Sequence, residues 1–179
     1  MSAAKFTLIV LAPAALAACN SGSETPQANA LAHGDAALVV SGETLAAAIA
    51  EDEQFASVAA ALAQTGLNTM FDGPGSYTLL ASTAPLPAAG NNADSRAVTA
   101  EILRNHILPG SVTRGAIEQA IAKSDGPVTM RTLGTATLQF SRDGSALIVT
   151  DPQTGRRATV TGTGRQATNG VLLPIDGLL

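Results

Sequence analysis

The sequence has almost no aromatic surface and little charge. Its 179 residues include no Trp, one Tyr and four Phe, so aromatics are 3% of the chain. That scarcity removes the stacking platforms on which proteins hold single-stranded nucleic acid or sugar rings. Charged residues are 13% of the total, ten Lys and Arg against fourteen Asp and Glu, with a formal charge of −4. A chain of that balance has no basic footprint for a phosphate backbone, and no nucleic-acid partner is expected. The single cysteine, Cys19, excludes an internal disulfide and a Cys-based zinc site. What is present in quantity is apolar: 46% of residues are hydrophobic and the mean hydropathy is +0.24. A mostly disordered chain needs the opposite, low hydrophobicity and high charge. Ala, Gly and Thr carry much of the composition, so the core must be built largely from small side chains. The length suits one domain and a tail.

Residues 1–18 read as an address. Lys5 supplies one positive charge, and Phe6 to Ala15 follow as an apolar stretch interrupted by Pro13. The stretch is too short for a spanning helix, which needs about 20 apolar residues. It ends in Leu16-Ala17-Ala18-Cys19, which resembles the bacterial lipoprotein lipobox, with cleavage between Ala18 and Cys19 and acylation of the Cys19 thiol. Small residues there let a peptidase approach the backbone. The plainer alternative is an ordinary signal peptide cleaved near Ala18, with an incidental cysteine. One acyl chain binds a bilayer only marginally, so stable anchoring takes two or more, as such lipoproteins carry. The residue after the cysteine is Asn20. By resemblance to the enteric sorting pattern, in which Asp at that place retains the protein at the inner membrane, Asn implies the outer membrane. The expected location is therefore the cell envelope, and the expected partner is the membrane through acyl chains on Cys19.

Residues 19–42, rich in Ser, Gly, Asn, Ala and Pro, read as a lipid-anchored flexible linker. At roughly 5–6 Å × √n, twenty residues reach about 25 Å, enough to lift a domain clear of headgroups. Within it, 36–40 is a weak candidate for a short strand. Helical spacing starts after Glu43, with Thr44 as a cap for Leu45, Ala48 and Ile49. Glu51-Asp52-Glu53 opens a second helix whose Phe55, Val58, Ala59 and Leu62 share one face, ended by Gly66. Tyr77–Ala81 reads as a strand. The spacing predicts a third helix over 97–108, with Val98, Ile102 and His106 on one face and Pro109-Gly110 as its stop. A short fourth helix carries Ile117 and Ile121. After Pro127 the period changes to two: 128–132, 135–141, 145–150, 157–161 and 171–175 alternate as strands, with turns at 142–144, 151–155 and Asn169-Gly170. Helices first and strands later predict an α+β domain over 43–179.

Three stretches carry a family resemblance. They are Asp52–Leu67 with Gly73–Thr83, then Ile102–Gly110 with its core His106-Ile107-Leu108-Pro109-Gly110, and Ala167–Asp176 with Asn169-Gly170. In this order and spacing the chain resembles a fasciclin (FAS1) domain. The resemblance implies N-terminal helices packed on a twisted, mostly antiparallel β wedge. It also implies that His106, Pro109, Gly110, Asn169 and Gly170 are structural motif residues. Two positions depart from the family pattern. Ser82-Thr83-Ala84-Pro85-Leu86-Pro87 lacks the usual Phe, whose space Leu86 is expected to fill. Asn105 stands where the family often has Tyr; a Tyr-His pair there is linked to integrin binding in animal relatives, so that activity is not carried over.

The candidate sites weigh against an enzyme. His106 has three chemical readings, as a metal ligand, a general base or a pH sensor. A metal needs two or more further ligands, and His33, in the linker, is a poor one. The expected role is structural, with both ring nitrogens bonding backbone groups across the domain. No Gly-x-Ser-x-Gly elbow occurs, and Cys19 is committed to lipid. Glu51-Asp52-Glu53 reads as a helix start and Gly162-Thr163-Gly164 as a turn. Arg156, Arg157 and Arg165 are a weak candidate patch for acidic polysaccharide. No cofactor and no metal are expected. By family resemblance the role is adhesion, or contact with surface polysaccharide, matrix or another envelope protein. The alternative is a periplasmic ligand-binding or accessory domain.

Overall fold

The computed structural model describes residues 38–86 and 92–179. The expectations for Ala18, Cys19, His33 and most of the linker lie outside the described residues, as do 87–91.

The helices at Leu45–Ala50, Ala93–Asn105 and Arg114–Ser124 each begin at a side-chain cap, and the one at Ala56–Thr65 is entered through a capped 3₁₀ turn. Thr44 caps α1 (Leu45–Ala50) by accepting from the Ala47 amide at 3.3 Å. Asp52 caps a 3₁₀ turn at Glu53–Phe55 that runs into α2 (Ala56–Thr65). Gly66 closes α2 at φ 73°, a left-handed conformation that only a residue without Cβ adopts freely. Of the expected stripe, Phe55, Val58 and Leu62 are buried together with Ala61, and Ala59 is half-buried. A second 3₁₀ segment, Leu67–Phe71, leads to strand β2 (Tyr77–Ser82). Val39–Val40 form a short strand, β1, so the sheet takes in residues upstream of 43.

The third helix, α3, is displaced from 97–108. It spans Ala93–Asn105 and starts where Asn92 accepts from the Ser95 amide at 2.7 Å. Ile107–Pro109 is not its last turn but strand β3, paired antiparallel with β2. Pro109 supplies the reason, because the residue before a proline is pushed out of the helical region. The buried face shifts accordingly to Thr99, Ala100 and Leu103, with His106 as the C-cap. Val98, expected inside, is 62% exposed, and Ile102 is half-buried. Pro109-Gly110 is thus the corner after a strand rather than a helix stop.

Helix α4 (Arg114–Ser124) buries Ile117 and Ile121. Strands β4 (Val128–Arg131), β5 (Thr137–Asp143), β6 (Ala146–Thr150) and β7 (Arg157–Val160) follow as an antiparallel ladder. Strand β8 (Arg165–Ala167), which the sequence pattern did not suggest, forms a closing hairpin with β9 (Gly170–Ile175). The order is β1-β8-β9-β7-β6-β5-β4, with β2 also on β9 and β3 on β2. Two pairings are parallel, β1 with β8 and β2 with β9; the rest are antiparallel. The fold is α+β with a mostly antiparallel sheet.

The β2–β9 pair lies between two cores. Leu79 and Ala81 of β2 and Leu172 of β9 join Leu45, Ile49, Phe55, Leu62 and Phe71 of the helical layer. Leu80, Val171, Leu173 and Ile175 turn to the other side, with Ile117, Leu138, Phe140 and Val149. Strands covered on both faces read as continuous apolar runs, as 79–81 and 171–175 do. Leu86 packs against the helical-side core.

Candidate functional site

His106 is 3% exposed, and its two nitrogens have different partners. Nδ1 lies 2.7 Å from the Ile102 carbonyl, which can only accept, so Nδ1 carries the proton. Nε2 accepts from the Leu179 amide at 3.2 Å and is therefore bare. The ring is a neutral bridge between the end of α3 and residue 179. Burial lowers its pKa below 6.5, opposed by the bond to Ile102 and aided by the positive charge of Arg156. With both nitrogens committed to backbone groups, the ring has no lone pair to offer a metal or a substrate.

The corner that follows is held by a residue the sequence pattern did not single out. Thr78 is fully buried on β2; its hydroxyl donates to the Gly110 carbonyl at 2.7 Å and accepts from the Val112 amide at 2.7 Å. Gly110 sits at φ 89°, and its amide reaches the Ser76 carbonyl at 2.8 Å. A hydroxyl inside an otherwise apolar strand was the available signal. Asn105 stitches α3 to the 132–136 turn, its Oδ1 accepting from the Ala136 amide at 3.1 Å. The Gly134 amide donates to the Arg104 carbonyl at 3.1 Å, and a Cβ on Gly134 would collide with the Asn105 side chain. Gly134→Ala should therefore cost about 1–3 kcal/mol by overpacking, and Asn105→Ala about 1 kcal/mol by loss of the bond. Urea melts of the double variant should show a smaller total than the sum, because the obstructing carboxamide is gone. Additive losses would mean that the two residues do not meet.

Asn169 joins three segments. Its Oδ1 accepts from the Leu45 amide at 2.7 Å, and its Nδ2 donates to the carbonyls of Phe71 at 2.5 Å and Gly73 at 3.0 Å. Leu45 is the first residue of α1, so Asn169 satisfies a helix amide that has no partner within the helix. Neither Asn169 nor Gly170 has positive φ, which corrects the expected type I′ turn; Thr168 and Asn169 connect Ala167 to its partner Gly170. Gly170 is required by proximity instead, since a Cβ there would meet the Tyr77 carbonyl oxygen.

The remaining candidates disperse. Arg165, on β8, bonds the Ala48 carbonyl at 3.4 Å and lies 3.9 Å from Asp52. Arg157 is on β7, opposite Thr150 and on the other side of β9, so the expected basic patch is not gathered. Asp52 of the acidic triplet is a cap, and Gly164, at φ 83°, turns tightly against the Leu172 carbonyl.

Comparison with known proteins agrees with this architecture. The fasciclin domain model matches residues 53–179. The chain is similar to the transforming growth factor-beta-induced protein ig-h3 of Sus scrofa and of Oryctolagus cuniculus. Each is 31% identical over 135 residues, covering 72% of this chain and 18% of the relative. The chain thus spans under a fifth of those proteins' length. It also superimposes on a FAS1 domain pair of the insect cell adhesion molecule Fasciclin I, with a TM-score of 0.62 at 13% identity. That match covers 76% of this chain and 50% of the other, and it speaks for the fold.

Proposed function

Because the chain belongs to the fasciclin domain family, we propose that it is a non-enzymatic adhesion-related protein of the cell envelope, lipid-anchored through Cys19. The observation that carries the adhesion reading is the FAS1 architecture shared with the cell adhesion molecule Fasciclin I. The motif residues support the non-enzymatic part: His106, Asn169 and Thr78 each spend their polar atoms on backbone partners. Acyl chains on Cys19 hold the protein, the linker upstream of β1 presents it, and one face of the domain contacts a surface polymer or an envelope protein. Many copies on one envelope turn weak contacts into firm attachment. Function does not follow from fold, so the reading needs a topological test.

Protease shaving of intact cells, combined with labelling by a fatty-acid analogue, provides it. Wild-type protein is expected to take the label and to be digested while a periplasmic control survives; Cys19→Ala takes no label and leaves the envelope fraction. Protection until the outer membrane is opened would overturn the adhesion reading. An unlabelled wild type would overturn the anchor.

A further inference from the structure

Helices α1 and α2 and the Leu67–Phe71 segment enclose an open cleft of about 370 Å³. Its floor is the buried Ile49, Leu62 and Phe71, and its walls are alanine methyls from both helices. Among the described residues, Asn68 and Asp72 are the polar side chains that line it. Neither the carboxamide of Asn68 nor the carboxylate of Asp72 is bonded to another described residue. The volume falls in the lower part of the range for small-molecule sites, about 300–1,000 Å³.

Acidic side chains predominate around the cleft. No Lys or Arg occurs between Lys5 and Arg96, whereas residues 38–86 contain Glu43, Glu51, Asp52, Glu53 and Asp72. Among the described residues one cation from elsewhere pairs with this group, Arg165, which lies 3.9 Å from Asp52. Ala63, on the cleft wall, belongs to the last turn of α2, where the helix dipole adds partial negative charge. An apolar pocket with an exposed, unpaired carboxylate at its rim, where acidic side chains outnumber the one cation, Arg165, which is itself engaged by Asp52 and the Ala48 carbonyl, selects a ligand with a positive charge on an apolar body.

We propose that the α1–α2 cleft binds small organic cations of the arylalkyl- or alkylammonium type. The apolar part lies over Ile49, Leu62 and Phe71, and the ammonium faces Asp72. This binding is independent of the adhesion reading. It is tested by titrating the full chain with 2-phenylethylammonium at fixed ionic strength and following amide chemical shifts, with 2-phenylethanol and 3-phenylpropanoate as the neutral and anionic counterparts. The expected result is saturable shifts confined to 46–50, 59–63 and 67–72, weaker for the alcohol and none for the carboxylate. Asp72→Asn should weaken the ammonium about two- to fivefold, the range of an exposed charge pair, and leave the alcohol unchanged. Ala63→Leu, which fills the cleft from an exposed helical position, should abolish saturable binding without lowering the melting temperature. Shifts that fail to saturate and spread over all carboxylates would overturn the site. So would equal binding of 3-phenylpropanoate, or binding that survives both Ala63→Leu and Ala50→Leu.

Discussion

Asn169→Ala is expected to cost about 2–4 kcal/mol, because one truncation orphans three backbone groups. The Leu45 amide and the Phe71 carbonyl belong to fully buried residues, so water does not simply replace the carboxamide. The Gly73 carbonyl is the third. For a domain of this size the loss is a fall in melting temperature of about 6–12 °C. Asn169→Asp separates the contributions. An aspartate keeps an acceptor for Leu45, yet turns a second oxygen toward two carbonyls that need a donor. If the two donor bonds matter, Asp is as damaging as Ala or worse. If the helix cap alone matters, Asp restores most of the stability. A loss below about 1 kcal/mol for Asn169→Ala would show that the α1 start, the 71–73 turn and the β8–β9 connection are not tied through this residue.

How far the sequence discloses this depends on whether a signal is local. The switch from period 3.6 to period 2 at Pro127 is local, and so is the cap at Thr44; the α1 start and the ladder follow from them. The displacement of α3 arises because the apolar pattern at 97–108 continues smoothly into Ile107-Leu108, and only the proline that follows marks the change to strand. The parallel β2–β9 pairing joins residues more than ninety positions apart, and nothing local encodes it. The continuous apolar runs indicate burial on both faces but not the partner. Asn169-Gly170 shows the same limit from the other side. As a dipeptide it suggests a tight hairpin with positive φ, yet here the asparagine serves three distant backbone groups and the glycine makes room for β2. The dipeptide does mark a turn, but its two residues are required by distant backbone groups rather than by positive φ. His106 was legible in type, since a lone histidine between apolar residues is usually a satisfied core group. Its second partner, at residue 179, was not.

That second partner makes the histidine a point at which pH acts on the fold. His106→Leu keeps most of the ring's bulk and removes the acceptor for Leu179; His106→Ala also opens a cavity, and is expected to cost about 2–4 kcal/mol at pH 8. The wild type should lose part of its advantage over His106→Leu as the medium is acidified. Burial keeps the folded imidazole neutral below the ordinary value of 6.5, while the unfolded chain takes up its proton near that value. Between the two, the unfolded state binds more protons, so stability falls with falling pH. The contribution is complete above about pH 6.5, declines below it, and is gone once pH has passed the folded pKa. Comparing wild type with His106→Leu isolates this residue, because every other ionisable group is common to the two proteins. Urea melts at intervals from pH 8 to pH 5 supply the measurement, and parallel curves for the two proteins would remove His106 from the account. Structure adds where the change should first be felt. Protonated Nε2 becomes a donor facing the donor of Leu179, while the Nδ1 bond to Ile102 is kept. Leu179, 7% exposed and packed with Leu173 and Ile175, should therefore lose amide protection at lower acidity than the β5–β6 ladder, which makes no bond to His106.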